Sequence, residues 1–219
     1  MTPPLLRLSN VGFRYPEGSA ILRGLDFALE PEERIGLLGA NGCGKTTLLH
    51  LLVGLLRPTS GEIEAFGRVR IAETDFHEVR RRVGLVFQDP DDQLFCPTVL
   101  DDCAFGPLNL GKEACEAKAR AARALASVGL SGFEQRITYK LSGGEKRLVS
   151  LATVLAMDPD VLLLDEPVAG LDDNARSRVT GVLNDVTQAM IVVSHDHAFL
   201  NAVTMRSLVF RGGKLMLKT

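Results

Sequence analysis

The apolar positions of this chain change rhythm as they run, and each change marks an element. Residues 5–15 and 25–29 alternate with the period of half-buried strands, the first with an interruption, and 34–38 is a tight apolar run ended by Gly39. From Lys45 to Leu56 the apolar residues recur at helical spacing, and Arg57-Pro58 is expected to close that helix. Residues 62–71 read as a hairpin around Gly67, 76–82 as a helix, and 83–87 as a short buried strand. The triplet Arg80-Arg81-Arg82 reads as a solvated helix end. Residues 88–110, dense in Asp and Pro, read as irregular. Amphipathic helices are predicted at 112–128 and 142–157. Residues 161–164 and 190–193 are continuous apolar runs between polar residues, the pattern of buried parallel strands. Strand–helix alternation at the flanks around a helical middle predicts one α/β domain over 1–219, with a mostly helical insertion at roughly 89–157.

Composition removes classes rather than naming an activity. At 46% hydrophobic and 24% charged, the 219 residues are ordinary globular material, which excludes disorder and low-complexity classes. Twenty-five Lys+Arg against 27 Asp+Glu leave a net charge of −2, which offers no basic field for nucleic acid and no polybasic membrane anchor. The four cysteines form no CxxC pair and the four histidines complete no zinc spacing, so reduced thiols are expected. Residues 1–8 lack the pattern of a secretion leader, and no apolar run approaches the roughly 18 residues a membrane helix needs.

Chemistry enters at Gly39-Ala40-Asn41-Gly42-Cys43-Gly44-Lys45-Thr46, which matches G-x-x-x-x-G-K-[ST] with a strand before it and a helix after it. Glycines let successive N–H groups point at phosphate oxygens, Lys45 supplies a cation, and the Thr46 hydroxyl can ligate Mg²⁺. The helix N-terminus adds its dipole to the same anion, and Thr47 stands beside it. This loop predicts binding of a nucleoside triphosphate. A second feature is Asp165-Glu166 at the carboxyl end of a buried strand, where ligands of open α/β sheets collect. Asp165 can hold Mg²⁺, and Glu166 can polarise the water that attacks the γ-phosphate. Gln88 ends another short strand and could report on the metal and that water. A third is Leu141-Ser142-Gly143-Gly144-Glu145 before a helix, a second anion site. One γ-phosphate does not need two such sites, so a head-to-tail dimer is expected, each nucleotide lying between the loop of one subunit and the Ser-Gly-Gly of the other.

With these motifs in this order, followed by Ala169-Gly170-Leu171-Asp172 and Ser194-His195-Asp196, the chain resembles the ATP-binding subunits of ABC transporters nearly end to end. The resemblance implies an α/β P-loop NTPase core of that ATPase type, with an antiparallel β subdomain and the helical insertion. It implies ATP and Mg²⁺ as ligands, Tyr15 stacking on adenine, Asp172 coupling the two sites across the dimer, and His195 contacting the γ-phosphate. The stretch from Gly84 to Phe95, then Pro97-Thr98-Val99 and the residues from Ala104 to Leu110, looks like the ATPases of energy-coupling-factor importers, which take up cobalt, nickel, biotin and other vitamins. Glu145, where the wider family commonly has Gln, agrees with that subgroup. In such proteins this stretch helps grip a helix of the membrane partner, which places contact with an integral-membrane subunit at about residues 89–110. The resemblance further implies a second ATPase subunit, identical or different, no nucleic-acid partner, and a peripheral position at the cytoplasmic face of the cell membrane.

The sequence departs from the family at Val168, where Thr or Ser is usual, and it ends at Thr219 without the C-terminal extension many of the subgroup carry. The other reading is a soluble ATPase of the same type serving cofactor assembly or nucleic-acid work. The span between Lys45 and Ser142 holds no heptad run, which argues against the chromosome-associated members.

Overall fold

The computed structural model describes residues 3–217; Met1, Thr2, Lys218 and Thr219, on which the readings of the chain ends bear, lie outside it. Four strands form an antiparallel sheet: β1 (Leu6–Arg14), β2 (Ala20–Leu29), β4 (Ser60–Ala65) and β5 (Arg68–Val69), in the order β2-β1-β4-β5. Six strands form the second sheet, in the order β10-β9-β3-β8-β7-β6. They are β3 (Arg34–Leu38), β6 (Val83–Val86), β7 (Val161–Asp165), β8 (Ala189–Val193), β9 (Arg206–Arg211) and β10 (Lys214–Leu217). All neighbours in it are parallel except β9 and β10, which pair as a hairpin at the edge.

The continuous apolar runs become legible once both faces of this sheet are covered. In β7, Leu162 and Leu164 join one hydrophobic cluster while Val161 and Leu163 join the other. In β8, Met190 and Val192 face the first cluster, and Ile191 and Val193 the second. The first cluster is shared with helices α3 (Val99–Asn109), α4 (Ala114–Ser127) and α5 (Gly143–Leu155); the second with α1 (Lys45–Leu52), α2 (Glu73–Arg82) and the antiparallel sheet. Helices α6 (Asp173–Asp185) and α7 (His197–Val203) follow β7 and β8. In chain order α3, α4 and α5 all lie between β6 and β7.

Three expectations need correction. The stretch 88–110 is irregular only in its first half: after a 3₁₀ turn at Pro90–Asp92 it holds the eleven-residue helix α3. Thr98 caps that helix by accepting from the Asp101 N–H at 3.2 Å, and buried Asp102 ties it down by accepting from Phe95 N, Cys96 N and the Thr138 hydroxyl. Helix α1 stops four residues short of Leu56, because Gly54 takes a left-handed φ of 69°. A Cβ at Gly54 would stand 2.2 Å from the Phe76 ring, so only glycine fits. The arginine triplet is not a solvated end: Arg80 donates to the Val53 and Gly54 carbonyls and pairs with Glu73, while Arg82 pairs with Asp160 and lies 3.6 Å over the Phe66 ring. Only Arg81 is exposed.

Candidate active site

Four parallel strands end on the same edge of the large sheet, and each delivers a piece of one cleft. Strand β3 runs into the phosphate loop, β8 into Ser194-His195, β7 into Asp165-Glu166, and β6 toward Gln88. The cleft they enclose measures about 660 Å³ and is lined by Lys45, Thr46, Gln88, Asp165, Glu166 and His195, with Tyr15, Asn41, Gly42, Gly44 and Thr47 on its wall.

The loop curls because Gly39, Gly42 and Gly44 take φ of 154°, 72° and 116°. At Gly44 a Cβ would come within 2.6 Å of Ile21, so glycine is required on packing grounds as well. Lys45 is buried, and its ammonium donates to the Gly39 and Ala40 carbonyls at 2.7 and 3.1 Å. Thr46 Oγ1 donates to Asp165 Oδ2 at 2.6 Å, bringing two oxygen donors to one point across 119 residues of sequence. Burial pushes the Asp165 carboxyl above its usual range, opposed by the Thr46 hydrogen bond and the charges of His50 and Lys45. Burial likewise lowers His50, which Asp165 partly counters. Tyr15 sits across the cleft with its hydroxyl 3.2 Å from Thr47 Oγ1 and its ring edge-to-face with Phe13.

Glu166 follows the last residue of β7 in the left-handed region, at φ 49°. Its N–H still donates to the Val193 carbonyl at 2.9 Å, so the sheet ladder continues while the side chain turns into the cleft. Glu166 Oε1 is buried without a hydrogen bond, and His195 Nε2 stands 3.3 Å away, within ion-pair range when the imidazole is protonated. The backbone N–H of His195 approaches Glu166 Oε2 at 3.4 Å. A carboxylate with a free, buried oxygen beside an oxygen-rich corner and an amide-lined loop suits water activation next to a bound polyphosphate.

Not every residue singled out in the sequence is found here. Gly39, Ala40 and Cys43 shape the loop but do not line the cleft. Ser142, Gly143 and Gly144 lie away from the cleft of their own chain, at the N-terminus of α5. There Ser142 and Glu145 form a reciprocal cap: Ser142 N donates to Glu145 Oε2 at 2.8 Å and Ser142 Oγ accepts from Glu145 N at 3.3 Å. Asp172 is also outside the cleft, capping α6 by accepting from Ala175 N at 2.7 Å. Two arginines escaped the sequence reading. Arg176 lines the cleft and pairs with Asp196 at 3.2 Å, a link between α6 and the cap of α7 that spacing within α6 does not reveal. Arg147 reaches the Glu166 carbonyl from α5, a contact that no local pattern announces.

This edge-of-sheet cleft defines a P-loop ATPase, and comparison with known proteins places it further. The family model described as ABC transporter matches residues 22–169, and the chain belongs to that family as one of its ATP-hydrolysing chains. It is 51% identical over 213 residues to an ABC transporter ATP-binding protein of Brucella suis, spanning 97% of this chain and 88% of the relative. It is 42% identical over 216 residues to the energy-coupling factor transporter ATP-binding protein EcfA of Methanocaldococcus jannaschii, spanning 97% of this chain and 77% of that protein. Among solved structures, cbiO1 from Clostridium perfringens, described as part of the ABC transporter complex cbiONQ, matches with a TM-score of 0.86 at 32% identity. That match covers 98% of this chain and 88% of cbiO1. Among the described residues no helix is long and apolar enough to cross a membrane.

Proposed function

We propose that this chain is the ATPase subunit of an energy-coupling-factor-type importer, peripheral at the cytoplasmic face of the membrane, where two ATPase subunits close around two ATP and drive a membrane partner. The observation that carries the reading is the convergence of Lys45, Asp165, Glu166, His195 and Gln88 on one cleft, while Ser142-Gly143-Gly144 stays outside it with Ser142 and Gly143 exposed. A second anion-binding helix end with no phosphate of its own is what a shared, two-subunit site requires. In this reading the loop amides and Lys45 hold the phosphates and Tyr15 stacks on adenine. Glu166 polarises the attacking water, His195 contacts the γ-phosphate, and Asp172 couples the two sites. Thr46, Asp165 and Gln88 supply oxygen donors that suit a hard divalent cation, and Mg²⁺ held there would neutralise charge on the phosphates.

The membrane partner is assigned to residues 89–110. An apolar groove of about 300 Å³ runs between Leu55, Phe87, Phe95, Phe105 and Met157. Phe95 is 66% exposed and Phe105 45%, and they meet edge-to-face at 4.9 Å, an unusual surface for a chain with only 5% aromatic residues. Such a groove fits the apolar face of a short helix. The likeness to EcfA and to cbiO1 supports an importer of cobalt, nickel or a vitamin such as biotin. The near-neutral charge balance supports no nucleic-acid partner.

The test is uptake of labelled cobalt, nickel and biotin by cells lacking the chain, complemented with wild type, Lys45→Ala or Phe95→Asp. Loss of one cargo, restored by wild type and by neither variant, is the expected result. Normal uptake of all three without the chain would contradict this importer reading and favour a soluble ATPase role.

A further inference from the structure

Two consecutive side chains of α5 leave the helical layer for the segments that carry the chemistry. Lys146 Nζ pairs with Asp91 Oδ1 at 2.5 Å, just beyond Gln88. Arg147 Nη1 donates to the Glu166 carbonyl at 2.8 Å. The same carbonyl accepts the Ala169 N–H at 3.2 Å, closing the turn that follows β7. Arg147 is half-buried in a cavity of about 520 Å³ that shares Thr46, Gln88, Asp165 and Ala169 with the nucleotide cleft. The charges of Asp89 and Glu166 face its guanidinium.

A left-handed residue is held by what its N–H and C=O bind, because a small change in φ or ψ swings its side chain to a new direction. At Glu166 the N–H is anchored to β8 and the C=O to Arg147 and Ala169. A guanidinium has a planar, fixed fork and keeps its charge when half-buried, so it holds such a carbonyl more firmly than a flexible ammonium does. Helix α5 also receives Gln93, whose Nε2 donates to Ser150 O at 2.8 Å and Thr153 Oγ1 at 2.7 Å, so the segment after Gln88 and the Glu166 turn share one helix.

We propose that Arg147 is the positioning residue of Glu166: its hydrogen bond to the Glu166 carbonyl aims the carboxylate into the cleft and makes that aim depend on where α5 sits. The inference rests on the reading of Glu166 as the group that polarises water. Removing Arg147 leaves the Glu166 carbonyl bonded to Ala169 N, so no buried acceptor is orphaned and the fold should survive.

The experiment measures steady-state ATP hydrolysis and the affinity of a fluorescent ATP analogue in full-length wild type, Arg147→Ala, Arg147→Lys and Glu166→Gln. Arg147→Ala is expected to lower kcat about 10-fold or more, with analogue affinity and Tm unchanged. Arg147→Lys keeps a donor and should retain more of kcat. Guanidinium ion at millimolar concentration, far below denaturing levels, should enter the cavity and restore part of kcat in Arg147→Ala alone. An unchanged kcat in Arg147→Ala overturns the proposal. So does a loss that guanidinium does not relieve and that comes with an equal loss of analogue binding or a lowered Tm, since that marks a merely structural role. Turnover surviving in Glu166→Gln removes the reading of Glu166 itself, whatever Arg147 does.

Discussion

Glu166 occupies a backbone conformation that costs a non-glycine residue about 1–2 kcal/mol, and the sheet holds it there. The carboxylate pair was legible as a pair, because an apolar run ending in Asp-Glu places acids at the ligand edge of a parallel sheet. The left-handed turn that separates their directions was not legible, since nothing about Glu in sequence signals φ 49°. The cysteines show the same limit. Outside the phosphate loop nothing in the sequence separates Cys96, Cys103 and Cys115, yet burial and then the Asp102 charge push Cys96 up to about 11. At pH 8 that leaves roughly one Cys96 in a thousand as the reactive thiolate. Exposed Cys115 is therefore expected to alkylate ahead of Cys96 with iodoacetamide at pH 8, with Cys96 accelerating as pH rises toward 11. Peptide mapping of a labelling time course checks the order, and faster labelling of Cys96 would contradict it.

Elements with a single clean period were readable, and those built on a buried polar anchor were not. Strands β7 and β8 and helices α4 and α5 follow from runs and spacings of apolar residues. Helix α3 hides behind Pro107 and its acidic residues, because what fixes it is Asp102, whose two oxygens take two backbone N–H groups and the Thr138 hydroxyl. No local pattern marks an aspartate as an internal staple. Asp102→Ala leaves those three donors without their acceptor and is expected to cost about 2–4 kcal/mol in urea unfolding. The same variant should speed Cys96 labelling, because it removes a carboxylate that holds the thiol protonated. Wild-type stability together with wild-type labelling would show that Asp102 anchors nothing. The N-terminus of α5 reads differently again: its Ser142–Glu145 cap is complete within one chain, as the Ser-x-x-Glu spacing of the sequence allows.

At the scale of the molecule, the sheet order β10-β9-β3-β8-β7-β6 turns separated motifs into one site. Lys45 and Asp165 meet because two strands, β3 and β7, flank β8 with their carboxyl ends aligned. The motif order foretold that these residues belong together, while the distances that make them a site come only from strand order. In the proposed reading the apolar groove beside α3 and the signature Ser142-Gly143-Gly144 extend the same logic outward, one toward a membrane helix and one toward a second ATPase. Both proposed uses depend on a cleft that hydrolyses ATP, which the proposal routes through Glu166. The most direct test is the steady-state ATPase rate of Glu166→Gln beside its ATP affinity and its oligomeric state by light scattering. The account predicts turnover reduced about 100-fold or more, ATP still bound, and an ATP-dependent dimer that outlives that of the wild type. Undiminished hydrolysis by Glu166→Gln would contradict it.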